Sequence, residues 1–204
     1  MTALRSGVTV VVPVHPPRLY STLPAALASV WEQTVLPDSV VIAVDRDHEG
    51  AAKTRNRGLW QVGTEWTAFL DSDDLLRPFH LEALTEHQRE TGADLVYPWF
   101  DVIDGWDPFP DMEHAPFDGA MLAHRNYIPI TVLVRTGLLR AAGGFRNLND
   151  SLEPGASPCE DLGAWQALLA AGARFEHLDR RSWLWRWFRT ASGDGNTSGR
   201  GDRW

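Results

Sequence analysis

Asp71, Asp73 and Asp74 place three carboxylates within four positions, directly after the apolar run at residues 66–70 (WTAFL). Crowded carboxylates repel one another and are costly to desolvate, so such a group calls for a counter-charge. Oxygen ligands of this kind suit Mg²⁺ or Mn²⁺, with substrate phosphates completing the shell. A cation there neutralises charge developing on a diphosphate leaving group. The competing reading is structural: Asp73 or Asp74 caps the turn into Leu75 and Leu76. A phosphatase or a nucleotidyl transferase could use the same cluster.

Two further groups carry possible chemistry. Residues 50–59 (GAAKTRNRGL) run from a flexible start into a helix bearing Lys53, Arg55 and Arg57. Cations near a helix N-terminus make an anion site; the plainer alternative is a solvated face. Glu160 and Asp161 open another helix, where the helix dipole and capping favour acids. Their functional reading is general-base catalysis, the removal of a proton from an acceptor hydroxyl.

The elements that must position these residues alternate. Val8–Val14 (VTVVVPV) and Ser39–Val44 (SVVIAV) read as buried strands, as do residues 66–70 and 94–100. Between them, residues 23–33, 51–62 and 78–90 read as helices, with Pro78 suited to a first turn. This pattern predicts an α/β fold whose N-terminal half is a parallel sheet with helices on both faces. Asp45 and Asp71 then fall at C-terminal strand ends, the edge where open α/β sheets bind ligands. The second half is less regular. Residues 101–124 read as a long loop, 128–134 as a strand, 136–142 as a short helix and Gly143-Gly144 as a turn. A helix is expected over 160–171, stopped by Gly172, then strands over 174–178 and 182–188. Residues 191–204 are Gly-rich and read as a flexible tail.

Length and composition narrow the class. The 204 residues suit one domain, divided loosely near residue 100 into a nucleotide half (about 1–100) and an acceptor half (about 101–190). A hydrophobic content of 44% makes the chain globular rather than disordered. The net charge of -8 argues against broad nucleic-acid binding. A single cysteine, Cys159, allows no internal disulfide. No signal-peptide or transmembrane pattern is visible, and the expected location is the cytoplasm. Of the ten tryptophans, Trp183, Trp185 and Trp187 alternate on an expected strand, where core packing outweighs a sugar-stacking rim. His80 and His87 lie seven apart on one helix without an evident third ligand.

Taken in order, VTVVVPVH, AAKTRNRGL, FLDSDD, RTGLLRAAGGF and Glu160-Asp161 resemble the family 2 glycosyltransferases of the GT-A fold, over residues 8–188. The resemblance implies a Rossmann-like, mostly parallel sheet flanked by helices, with a smaller irregular acceptor side. It implies transfer of a sugar from a nucleotide-sugar donor, a UDP-sugar first, to an acceptor hydroxyl, with inversion. Pro13, Val14 and His15 would line the base pocket, and Asp45 would bond the base or ribose. Arg55 would sit near the nucleotide, with Asn56 bracing the loop. Asp71 would touch ribose or metal beside Ser72, and Asp73 would be the principal ligand of Mn²⁺ or Mg²⁺. Asp161 would be the general base, supported by Glu160.

Three features depart from that family's pattern. Arg46 stands where many members carry a second Asp. The stretch from Asp45 to Gly50 is too short for the strand usually found there. The C-terminal segment has no histidine, leaving Arg186, Arg189 or Asn196 as candidate diphosphate contacts. These departures keep open a binding module that has lost catalysis, while the acidic cluster with a cation would equally serve a nucleotidyl transferase.

Overall fold

The computed structural model describes residues 5–103, 105–107, 109–146 and 159–186. Trp187, Arg189, Asn196 and the expected tail lie outside them. Among the described residues, one sheet of seven strands has the order β2-β1-β3-β6-β5-β7-β4. Its strands are β1 (Val8–Val14), β2 (Ser39–Val44), β3 (Trp66–Phe69), β4 (Leu75–Leu76), β5 (Leu95–Ile103), β6 (Leu133–Arg135) and β7 (Phe175–Arg186). β1, β2, β3, β5 and β7 point one way, while β6 and β4 run against their neighbours. The sheet is therefore mostly parallel, as expected, with β6 wedged between β3 and β5.

β1 is fully buried along its length because both faces of the sheet are covered. On one side lies α2 (Ala51–Leu59), whose Gly58 sits so close that a Cβ there would collide with Val11 Cγ1. Elsewhere α1 (Leu23–Trp31) is tied to β4: Ser29 Oγ accepts from Leu76 N at 3.0 Å. Its neighbour Gln33 donates to Arg77 O at 2.8 Å and accepts from Leu81 N at 2.9 Å, joining α1 to α3 (His80–Thr91). His80 is a core residue rather than a metal ligand, with its Nδ1 2.8 Å from Ser182 Oγ. Burial lowers its pKa to about 3, so the ring is neutral.

The second half departs from the expected elements for identifiable reasons. The loop at 101–124 is shortened at both ends. β5 runs on to Ile103, and α4 (Gly119–Leu122) is capped by Asp118, which accepts from Ala120 N and Met121 N. The strand expected over 128–134 shrinks to β6, since Pro129 has no N–H to give a ladder. α5 (Thr136–Ala141) follows directly. The two strands expected at 174–188 are one, β7. Its polar centre, Asp179-Arg180-Arg181, stays in the strand through register shifts opposite Pro98, Trp99 and Phe100. Arg181 there donates to Glu113 and Asp101 carboxylates and to Phe100 O. Trp99 and Trp183 are buried core residues, whereas Trp106 is half exposed. No helix among the described residues is long and apolar enough to cross a membrane.

Candidate functional site

Three turns meet at the C-terminal ends of β1, β2 and β3. The first holds His15 and a 3-10 turn at Pro16–Arg18. His15 is neutral at pH 7, since burial and Arg18 both lower its pKa. Its Nδ1 is buried with no hydrogen-bond partner among the described residues. Pro13 and Val14 precede it inside β1, both buried.

The second turn, residues 45–50, is as short as the sequence suggests, and the sheet ends at β2 with no strand beyond it among the described residues. Asp45 is fully buried and closes this turn itself, accepting from Glu49 N at 2.8 Å and Gly50 N at 3.0 Å. Gly50 then enters α2 at φ 88°, a conformation suited to glycine. The three cations of α2 do not share one anion site. Lys53 is exposed, and Arg57 bonds Glu49 and Val44 O. Arg55 instead turns inward and is buried.

The third turn carries the acids. Asp71 O accepts from Asp74 N at 3.0 Å, closing residues 71–74 into a tight turn. β4 follows at once and pairs with β7, which holds the turn from its far side. Asp74 is buried and accepts from Arg186 N at 2.8 Å; Arg186 Nε donates to Asp73 O at 3.1 Å. Asp73, also buried, pairs with Arg18. Burial first, then the negative charge of Asp71, pushes the Asp73 pKa up to about 6. Burial with Asp73 and Asp71 raises Asp74 well above the usual carboxylate range. Ser72 Oγ is buried without a hydrogen-bond partner among the described residues. Asp74 does not cap the turn into Leu75 and Leu76: its carboxylate accepts instead from Arg186 N, an amide of β7 across the sheet.

Arg55 ties this turn to the acceptor side. Its Nη2 lies 2.7 Å from Asp71 Oδ1, and its Nη1 bonds Glu160 Oε1. Burial alone would lower its pKa, but Asp71 and Glu160 more than reverse that, so it stays charged. Beneath it lies Phe145, with Arg55 Cζ 5.9 Å from the ring centroid. Phe145 is fixed by Asn56, which donates to Phe145 O at 2.7 Å and accepts from Phe145 N at 2.9 Å. The preceding Gly144, at φ 68°, fits beneath this pair only without a side chain, because a Cβ would collide with Asn56 Oδ1.

Glu160 and Asp161 open α6 (Glu160–Ala170). Asp161 Oδ1 accepts from Asn126 Nδ2 at 3.0 Å and Leu162 N at 2.8 Å. Burial and Glu160 push its pKa up to about 6, against the pull of Arg55. Cys159, just before them, has its thiol raised to about 11 by burial, so it is not a thiolate at neutral pH.

The structure therefore gathers Arg55, Asp71 and Glu160 in direct contact, with Asp73 and Asp161 on the neighbouring positions. Asp45 and Asn56 serve the backbone around them. Among the described residues no group of three or more His, Cys, Asp or Glu side chains could hold a metal ion by itself. The arrangement fits a cation bound through one or two carboxylates with phosphates supplying the rest. Sequence reasoning passed over Arg18 and Asn126, which have no motif spacing to mark them.

Comparison with known proteins agrees with this geometry. The Glycosyl transferase family 2 model matches residues 41–142, half of the chain, and the chain belongs to that family. The pre-mycofactocin glycosyltransferase of Mycobacterium tuberculosis is 31% identical over 140 residues, covering 63% of this chain and 28% of its own length. The succinoglycan biosynthesis protein ExoO of Rhizobium meliloti is 33% identical over 99 residues, covering 48% of this chain and 27% of its own length. The chain thus spans about a quarter of the curated relatives it matches. Crystal structures of S. aureus TarS 1-349, alone and in complex with UDP-GlcNAc, superimpose with TM-scores of 0.70 at 18% identity. They cover 87% and 88% of this chain, and 59% and 58% of TarS 1-349. That likeness establishes the GT-A type fold.

Proposed function

We propose that this chain transfers a sugar from a nucleotide-diphosphate donor, a UDP-sugar, to an acceptor hydroxyl by direct displacement with inversion. The observation that carries this reading is the single buried Arg55 contacting both Asp71 and Glu160. It brings the acids at the sheet edge and the acids of α6 to one centre. The donor is taken as a UDP-sugar because TarS, of the same fold, has been solved with UDP-GlcNAc and with UDP.

His15, with Pro13 and Val14 behind it, lines the base side, and Asp45 shapes the turn that faces the ribose. The buried, unpartnered His15 Nδ1 and Ser72 Oγ leave polar atoms for a ligand to satisfy. Asp73 and Asp71 are the residues that would hold Mn²⁺ or Mg²⁺. A cation held there would supply positive charge to offset that of a diphosphate leaving group. Asp161 takes the acceptor proton: with a pKa near 6 it is ionised at neutral pH yet more basic than an ordinary aspartate. Glu160 anchors Arg55, which keeps Asp71 in place.

The test is a thermal-shift and product assay with UDP-sugars, with and without Mn²⁺. The wild-type chain is expected to be stabilised by UDP-sugar with Mn²⁺ and to release UDP during transfer. Asp73→Asn is expected to lose the Mn²⁺-dependent part of that shift. Pyrophosphate as the product, or equal stabilisation of Asp73→Asn, would overturn the assignment.

A further inference from the structure

We propose that Arg18 is a resident counter-ion which exchanges partners when the donor binds, releasing Asp73 to a divalent cation and taking the donor diphosphate itself. This rests on the donor-site reading above. Arg18 ends the 3-10 turn after β1, and Asp73 lies in the turn after β3, the adjacent strand. Their ion pair spans the gap between the base side and the acid turn. The Arg18 side chain is 25% exposed and that of Asp73 9%, so the cation is the partner with access to solvent.

The other acids of the turn already have partners built into the fold. Asp71 has Arg55, and Asp74 has the Arg186 amide. Those partners cannot leave cheaply, because Arg55 is buried between two acids and the Arg186 amide belongs to β7. The Asp73–Arg18 pair is the one in this turn whose cation comes from a surface turn. Pro16 and Pro17 stiffen the backbone of that turn, so the long side chain can swing without moving its base.

Charge bookkeeping favours the exchange. A donor diphosphate carries two negative charges and the cation two positive ones, so the pair enters neutral. Asp73 trades a guanidinium for a metal ion, Arg18 trades a carboxylate for phosphate oxygens, and no buried charge is left alone. The planar guanidinium fork suits phosphate as well as it suits carboxylate.

The two halves of the exchange predict opposite effects from one substitution. With Mn²⁺ alone, followed by the free-ion signal in electron paramagnetic resonance, Arg18→Gln is expected to bind about tenfold tighter than wild type, since its competitor is gone. With saturating Mn²⁺, UDP is expected to bind Arg18→Gln about tenfold more weakly by calorimetry. A merely structural ion pair would weaken both or neither, and either pattern overturns the proposal. Arg18→Lys, which keeps the charge, guards against loss of fold. It should hold Mn²⁺ alone like wild type and bind UDP several-fold more weakly, about fivefold, for want of the fork; unchanged UDP affinity in that variant also counts against the exchange. If wild type itself binds neither Mn²⁺ nor UDP, the donor-site reading fails and takes the exchange with it. If Mn²⁺ and UDP bind through Asp73 but ignore both Arg18 variants, the exchange alone fails.

Discussion

The acids on the two sides of Arg55 are held by different means. At the sheet edge, Asp71 to Asp74 sit in a backbone turn clamped between β3 and β4, and two of the three carboxylates are buried. At the start of α6, Glu160 and Asp161 rest on a helix end, where the dipole favours their charge, and Asp161 takes a single side-chain hydrogen bond, from Asn126, among the described residues. The first arrangement fixes carboxylate positions at high electrostatic cost and answers two of them with the guanidinium groups of Arg55 and Arg18. The second holds the Asp161 carboxylate by Asn126 and its own helix amide Leu162 N, with a pKa of about 6 that lets it take up and release a proton near neutral pH. On the proposed function, positioning and proton transfer fall to different kinds of local structure.

That contrast can be broken most severely at its joint. Arg55→Met should leave the buried Glu160 and the partly buried Asp71 without their shared cation and lower unfolding free energy by about 3–5 kcal/mol, read by urea denaturation. A loss below 1 kcal/mol would mean that the two sides are not coupled through Arg55. Asp161→Asn should cut the transfer rate by about 10²–10⁴-fold with UDP binding intact, because proton removal and not positioning is lost.

The pH dependence sharpens the same distinction. Transfer should rise as pH climbs through about 6, where Asp161 loses its proton. Stability of the ligand-free protein should run the other way. Asp73 and Asp161 hold protons more tightly folded than unfolded, so their contribution is full below about pH 4 and is lost as pH rises through about 6. Melting temperatures that stay flat across that window would contradict the raised values. The smallest effect belongs to the brace: Asn56→Ala leaves the Phe145 amide and carbonyl without this partner, at a cost of about 1–3 kcal/mol by urea denaturation.

The positions of the first three strands along the chain and the acidic cluster after the third were legible in the sequence because both are local. VTVVVPV, SVVIAV and WTAFL are continuous apolar runs, and each ends near a polar residue at the sheet edge. The contacts that complete the site are not local. Arg55 and Glu160 are 105 positions apart, and nothing in GAAKTRNRGL says which of its cations turns inward. Arg18 sits in a proline-rich stretch that reads only as a strand terminator. The second half misled for a related reason. Asp179-Arg180-Arg181 has the polarity of a loop, yet the strand continues because Glu113 and Asp101 receive Arg181. Leu75 and Leu76 are too few to show any alternation, so β4 was invisible until its partner β7 was in place.

A strand of two residues is the least durable rung of a sheet, and it is the one that closes the acid turn. Local opening costs less than global unfolding, and the outermost rung opens first. When Leu75 and Leu76 let go of Leu184 and Trp183, the spacing between the Asp71 and Asp73 carboxylates loosens with them. Warming should therefore blunt this site well before the rest of the molecule melts, and amide exchange at Arg77, whose N–H donates to Ser182 O of β7, should report the temperature at which that begins.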